Sequence, residues 1–424
     1  MNRSLLLYRL LLALLAPVIL LFNAWQALRA SDMRLFCQRL GLCLRQRQDH
    51  PLWLHAASVG ELIAAQALLI ALREKFPGLA IVVTTTTVTG ARLARTRLPA
   101  EIEHVYLPLD WPGAVKRFLR SVQPRAALIM ETELWPNLFI ATARQDIPLL
   151  IVNGRLSPRS MNAGPWIKQL FRISLQGVSA VLARSEEDAE NYIALGATAE
   201  RVQTVGNIKF ASTHAENPVA AMDLGRPFVL AASTREEDEE LQIASLWQQQ
   251  NFTEKFSRLL VIAPRHPNRC GAILKQLQGL QARIAVRSRG DAINADTQIY
   301  LADTLDELEA FMAGADMVFM GGSLVPRGGQ NILEAARLGK PLLFGPHMEN
   351  FSDEATLLLQ ANAALQVADS AQLGQGLQHW FDNPQVAQAY GQRAQAMMAQ
   401  QDDILGRYLR AVSELCGLEA AGKD

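Results

Sequence analysis

The segment His55-Ala-Ala-Ser-Val-Gly-Glu61 places a carboxylate three residues after a serine, where an apolar run gives way to a helical period. Glu61 can take a proton from a hydroxyl nucleophile there. The same stretch, Ser58-Val-Gly-Glu61, also reads as a capping box, in which the carboxylate turns back on the helix start and does no chemistry. A glutamate used as a cap, beside the positive end of a helix, is expected to have a lowered pKa. Met130-Glu-Thr-Glu-Leu-Trp-Pro-Asn137 sets Glu131 and Glu133 beside an aromatic ring, an arrangement suited to sugar hydroxyls. Its structural alternative has Thr132 capping the next helix with Glu133 in the first turn. No histidine or Asp-x-Asp accompanies the pair, so a metal is not expected. Lys209, in Asn207-Ile-Lys-Phe210, can neutralise developing negative charge or simply be solvated.

The second half of the chain is richer in groups for anions. Arg265, in Ala263-Pro-Arg-His-Pro-Asn-Arg269, offers a bidentate fork for phosphate and His266 adds a donor, against the alternative of a surface ion pair. Leu305, Asp306 and Glu307 lie between a strand end and a helix. Gly321-Gly-Ser-Leu-Val-Pro-Arg-Gly-Gly-Gln-Asn-Ile-Leu-Glu-Ala335 reads as strand end, glycine loop, then a helix beginning near Gln330. The backbone at Gly321, Gly322, Ser323, Gly328, Gly329 and Gln330 can approach a phosphate or carboxylate closely, with the helix start aimed at it. An ordinary strand-to-helix turn is the alternative. The loop lacks the Gly-Lys-Ser/Thr of a P-loop. Asn331 and Glu334 share a helix face, so Glu334 can accept from the ribose hydroxyls of a nucleotide whose phosphate sits at the glycines.

These loops need strands to hold them. Short apolar runs alternate with segments of helical period: near Leu52–His55, Ala80–Thr85, His104–Leu107, Ala126–Met130, Pro148–Asn153, Ala180–Ala183 and Val202–Val205. The rhythm breaks over Asn207–Pro227 and resumes at Phe228–Ala232, Leu259–Ala263, Ile284–Arg287, Gln298–Leu301, Met317–Met320 and Pro341–Phe344. Such alternation predicts α/β architecture, two doubly wound parallel sheets facing a cleft, with ligands beyond the carboxyl ends of the strands. A helix is expected over Leu62–Lys75, and the tail from Ala371 to Leu418 reads as helical.

At 424 residues the chain is too long for one core. Forty-one Lys and Arg balance 41 Asp and Glu, so no global basic field argues for nucleic acid. Cys37, Cys43, Cys270 and Cys416 show no Cys-x-x-Cys spacing and read as reduced thiols. Leu10–Phe22 is an unbroken apolar run containing Pro17, short of the roughly 20 residues that span a bilayer unless Arg9 snorkels. Arg29, Arg34, Arg39, Arg45 and Arg47 follow it, against Arg3 and Arg9 before, which keeps the body in the cytoplasm and forms a collar for anionic headgroups.

Taken together, these motifs resemble the membrane-associated transferases of 3-deoxy-D-manno-octulosonic acid (Kdo) that build the inner core of lipopolysaccharide. The resemblance covers nearly the whole chain, through His55–Glu61, Met130–Asn137, Pro264–Pro267, Gly321–Glu334, Gly345–His347 and Asn350-Phe351. It implies a GT-B fold of two Rossmann-like domains, a metal-free and cofactor-free inverting transfer from CMP-Kdo, and a lipid A precursor (lipid IVA) as acceptor at the inner membrane. Residues 1–30 would be the anchor helix and 31–210 the acceptor domain. Residues 211–227 would be a linker and 228–424 the CMP-sugar domain, its last helices free to pack back on the first. Glu61 would then be the proton acceptor, and Glu131 and Lys209 would stabilise the transition state. Arg265, His266, Leu305, Asp306, Glu307, Asn331, Ile332, Leu333 and Glu334 would contact CMP. Where the family commonly has Gly-Gly-His-Asn-Pro-Leu-Glu-Pro, this chain has Gly328-Gly-Gln330-Asn-Ile332-Leu-Glu-Ala335, losing a chargeable side chain and a preset helix start. A GT-B transferase or epimerase using a UDP-sugar is the nearest alternative.

Overall fold

The computed structural model describes residues 2–131, 133–213, 219–236, 238–401 and 403–418. The chain divides into two compact units, Met1–Ser212 with Asp403–Asp424, and Thr213–Asp402.

Among the described residues the first unit is built on seven parallel strands: β1 Leu52–His55, β2 Ile81–Thr85, β3 Glu103–Tyr106, β4 Ala126–Met130, β5 Leu149–Gly154, β6 Ala180–Ala183 and β7 Val202–Thr204. Their order is β3-β2-β1-β4-β5-β6-β7. β1 pairs with β2 on one side and β4 on the other, so the winding reverses between β1 and β4. The loops leaving those two strands part there and open a crevice. The central strands are buried throughout, which is why they read as unbroken apolar runs. One core gathers Trp53, Val115, Phe118, Phe139, Ile151 and Tyr192, with the Trp53 indole donating to Thr84 Oγ1 at 2.9 Å.

The second unit repeats the plan with β8 Phe228–Thr234, β9 Leu259–Pro264, β10 Ile284–Val286, β11 Ile299–Leu301, β12 Met317–Met320, β13 Leu342–Phe344 and β14 Leu365–Gln366, ordered β10-β11-β9-β8-β12-β13-β14. Here the reversal falls between β8 and β12. A separate core packs Trp247, Phe252, Phe319, Trp380 and Phe381.

The amino terminus departs from a single anchor helix. α1 (Arg3–Leu14) and α2 (Ala16–Arg29) meet at a 56° bend. Pro17 sits in the first turn of α2, where its missing N–H costs nothing, whereas inside one continuous helix it would clash with the preceding turn. No single helix among the described residues is long and apolar enough to cross a membrane; the bent pair passes that test only by length and composition together. Tyr8 donates to Asp110 Oδ2 at 2.9 Å and Arg9 Nε donates to Asn137 Oδ1 at 2.7 Å, which ties α1 to the body. Leu5 and Ala27 are buried, while Leu10, Leu14, Val18, Leu21 and Leu28 point outward. α3 (Met33–Arg39) follows. α4 begins at Val59, ahead of the expected Leu62, and runs to Lys75; α5 spans Val88–Arg97.

The helical tail forms Ser370–Asp382, Pro384–Ala399 and Ile404–Leu415. The expected second domain ran to the last residue with its closing helices free to pack back on the first; contacts assign Asp403 onward to the first unit. Buried Tyr408 donates to the Gly206 carbonyl at 2.8 Å. Gly206 has φ +111°, and a Cβ there would lie 3.0 Å from Ile404 Cδ1, so neither the conformation nor the space admits a side chain.

Candidate active site

The crevice of the first unit collects carboxylates. Ser58 caps α4, its Oγ accepting from the Glu61 amide at 3.2 Å. The Glu61 carboxylate turns back on the cap, accepting from Ser58 Oγ at 2.9 Å and from the Ala57 amide at 2.8 Å. The capping-box reading of Ser58–Glu61 therefore holds, but the expected lowering of the pKa does not. Burial, outweighing the Ala57 and Ser58 hydrogen bonds and reinforced by the charges of Glu131 and Glu133, pushes the Glu61 carboxyl up to about 7. A carboxylate near neutrality at a topological switch point is able to accept a proton from a hydroxyl.

Glu131 ends β4 with φ +53°, a left-handed conformation that turns the chain sharply into the crevice. Tyr192 Oη donates to its carbonyl at 2.8 Å. Glu133 was a candidate for the first turn of the next helix; that helix instead starts at Pro136 with Trp135 as N-cap, leaving Glu133 in the loop. Thr132, its proposed cap, lies outside the described residues. Glu133 Oε2 is 3.9 Å from Nε2 of His55. His55 is fully buried and its Nδ1 lies 3.1 Å from the Thr84 carbonyl. Nδ1 also lies 2.9 Å from Thr84 Oγ1, and no hydrogen-bond partner reaches Nε2 among the described residues.

The turn that carries Lys209 is tied to the carboxylate crevice through Asn153, a residue its sequence setting did not single out. At the end of β5, with φ +56°, buried Asn153 approaches Glu131 Oε1 from Nδ2 at 3.5 Å and accepts from the Ile208 amide at 3.0 Å. Asn207 Oδ1 in turn accepts from the Lys209 amide at 3.1 Å. One side chain so links the Glu131 carboxylate to the Asn207–Lys209 turn. An asparagine at a strand end was the available signal, since Asn tolerates left-handed backbone.

In the second unit the glycine loop is built differently from the expected anion seat. Its amides face a carboxylate of the protein itself: Glu239 accepts from the Gly322, Ser323 and Leu324 amides at 2.7, 3.2 and 3.2 Å, and from the Arg235 amide at 2.8 Å. Glu239 is fully buried, and burial raises its pKa. The helix expected near Gln330 starts at Leu333 and is only one turn long, running to Arg337. Gly328 and Gly329 adopt φ +80° and +74°, and a Cβ on either would strike Asn350 or Met348 within 2.5 Å. Gly321, at the end of β12, comes so close to β8 that a Cβ would lie 2.5 Å from Thr234 Cα. The glycines therefore serve close packing of Gly321–Gly329 on its neighbours.

Cationic groups gather around that loop. Arg265 follows β9, exposed, its amide donating to Thr234 at 2.9 Å. His266 Nε2 is 3.4 Å from Nη1 of Arg235. Arg269 grips fully buried Glu240 at 2.8 and 3.3 Å. Arg235, Arg269 and Arg327 surround Glu236 at 3.4, 4.0 and 3.6 Å. Asn331 Nδ2 donates to Glu334 Oε1 at 2.9 Å and its Oδ1 accepts from the Leu333 amide at 3.1 Å, while Ile332 and Leu333 are buried. Burial raises the Glu334 pKa against the pull of Asn331 and Arg265. Leu305 is 72% exposed, Asp306 has φ +61°, and Glu307 is held by Arg287 at 2.7 and 3.2 Å. The Glu307 carboxylate is thus committed to an internal ion pair. Arg235, Glu239 and Glu240 escaped the sequence reading, although the acidic run after a buried strand marked the place. No group of three His, Cys, Asp or Glu side chains is arranged to hold a metal among the described residues.

Residues 34–212 match the family described as 3-Deoxy-D-manno-octulosonic-acid transferase (kdotransferase). The chain is 35% identical over 427 residues to the 3-deoxy-D-manno-octulosonic acid transferase of Bordetella pertussis, covering 97% of this chain and 99% of that relative. It is 31% identical to the crystallised C-terminal CMP-Kdo binding domain of WaaA from Acinetobacter baumannii, covering 41% of this chain and 90% of that one with TM-score 0.39. A putative UDP-N-acetylglucosamine 2-epimerase from Listeria monocytogenes shares the fold at TM-score 0.55 and 16% identity, over 88% of this chain and 98% of that one.

Proposed function

The chain belongs to the 3-deoxy-D-manno-octulosonic acid transferase family and is a glycosyltransferase, and on that premise we propose that it moves Kdo from CMP-Kdo to a lipid A precursor such as lipid IVA in lipopolysaccharide core synthesis. The observation that carries the mechanism is the Glu61 carboxyl pushed up to about 7 beside Glu131 and Glu133. In this reading Glu61 takes the proton of the attacking acceptor hydroxyl. The freed oxygen bonds the anomeric carbon, the bond to the CMP phosphate oxygen breaks, and configuration inverts. Lys209 stabilises the negative charge moving to the leaving group, and the Glu131 carboxylate opposes the positive charge that builds at the anomeric carbon. Arg265 and His266 take the phosphate, Leu305 lies against the base, and Glu334 with Asn331 reads the ribose. No metal enters the scheme. The outward apolar face of α1 and α2, followed by Arg29 and Arg34, supports seating on the cytoplasmic face of the inner membrane.

Purified enzyme given CMP-Kdo and lipid IVA is expected to yield a product heavier by one or more Kdo residues in mass spectrometry. Glu61→Gln is expected to lower kcat by roughly 10²–10⁴ while CMP still raises the melting temperature. Full activity in that variant overturns the base assignment, and protection by UDP in place of CMP overturns the donor.

A further inference from the structure

We propose that a cavity of about 710 Å³ in the first unit receives a fatty acyl chain of the acceptor; the inference rests on the amphiphilic acceptor proposed above. The cavity lies under α1 and α2 at the carboxyl edge of the sheet. Leu12, Ile19 and Phe22 wall one side, and Val88, Leu109 and Trp135 the other. It opens to the surface, and its volume falls in the range of roughly 300–1,000 Å³ typical of ligand sites.

Its walls say which ligand. Asn23 Oδ1, Arg39 Nε and Trp135 Nε1 are buried behind the lining, so what the void offers a ligand is mostly apolar surface. That surface suits the methylenes of an acyl chain. A peptide strand would instead bring a full row of backbone N–H groups that this wall cannot satisfy.

The position also fits. Thr86, in the lining, donates from Oγ1 to the Ala57 carbonyl at 2.8 Å, and Trp135 follows Glu131 in the same loop. The walls are therefore the same loops that hold the carboxylates, and a chain seated here tethers its headgroup beside Glu61. A polar pocket sharing Ala30 and Val88 carries Arg34, Arg92 and Arg95, with Arg95 also paired to Asp32 at 3.2 Å, and Arg29 lines the acyl cavity. That rim complements an anionic headgroup.

The test is kinetic, on the full-length enzyme. Acceptors sharing one disaccharide phosphate headgroup but differing in acyl length are expected to show KM falling about fourfold per methylene until the cavity is full. Ile19→Trp and Leu12→Trp, which fill it from the α1 and α2 side, are expected to raise KM at least tenfold for the acylated acceptor. Both should leave KM for CMP-Kdo and turnover of a de-acylated acceptor unchanged, with the melting temperature confirming that each variant folds. A diazirine-bearing acyl acceptor should label residues 12–25 or 86–89. A KM independent of chain length, filling variants without effect, or equal labelling by a diazirine phospholipid in acceptor-free vesicles overturns the proposal. No transfer to any acceptor by the unaltered enzyme would instead overturn the proposed function.

Discussion

Glu61 holds its proton up to about pH 7 because the crevice denies it water and places Glu131 and Glu133 nearby. Protonated, it cannot serve as base, so kcat/KM should rise with pH through about 7 and level above it. Glu131→Gln removes one like charge and should move that inflection toward acid by roughly 0.5–1 pH unit, besides lowering the rate. An inflection that stays put would separate the two carboxylates. The same displacement acts on stability. The ordinary carboxyl value of 4.5 applies to the unfolded chain, and the folded value is raised to about 7. Stability from the protonated form is therefore present below about 4.5 and lost as pH rises through about 7. Glu61→Gln escapes that loss. Its unfolding free energy relative to the unaltered protein should be greater at pH 8 than at pH 5, by on the order of 1–3 kcal/mol, as measured by denaturant titration. A base tuned by burial is thus held at some expense in stability.

At the scale of elements, the strand ends were readable and what fills the loops between them was not. Ala126–Met130 and Met317–Met320 are buried on both faces, so their apolar runs coincide with their sequence expectation. β14, Leu365–Gln366, is too short and too exposed to leave such a run. The glycine loop was legible as a close approach of backbone, but its partner Glu239 lies 83 residues from Gly322 in the chain, and no local pattern joins them. Likewise Asn153 reaches Glu131 across 22 residues and Ile208 across 55, which periodicity cannot register. The bend at Pro17 was visible as a residue yet not as an interruption, because proline is also tolerated in a first turn. Glu239 now carries a testable weight. Glu239→Ala strips one carboxylate from four amides and should cost about 2–4 kcal/mol, with KM for the donor rising as the loop loosens. Glu239→Gln, which keeps one acceptor oxygen, should fall between. Thermal unfolding and initial rates read both, and a donor KM unmoved by the alanine variant would remove the loop from the donor site.

At the scale of the whole molecule, two parallel sheets divide the candidate groups: Glu61, Glu131, Glu133 and Lys209 belong to the first unit, and Arg265, His266, Asn331 and Glu334 to the second. Damage to one should leave the other's ligand response intact. Tyr408→Ala, which empties a buried site against Gly206, should destabilise the first unit by about 3–5 kcal/mol, while CMP still protects the second unit in limited proteolysis. Loss of CMP protection would mean that the units unfold as one. The return of Asp403–Asp424 to the first unit also has a consequence for biosynthesis. The second unit is a continuous insertion, complete while the helix that finishes the first is still unmade. On the ribosome the half that appears first must therefore wait for the last residues, and the half that appears second can be the earlier to close.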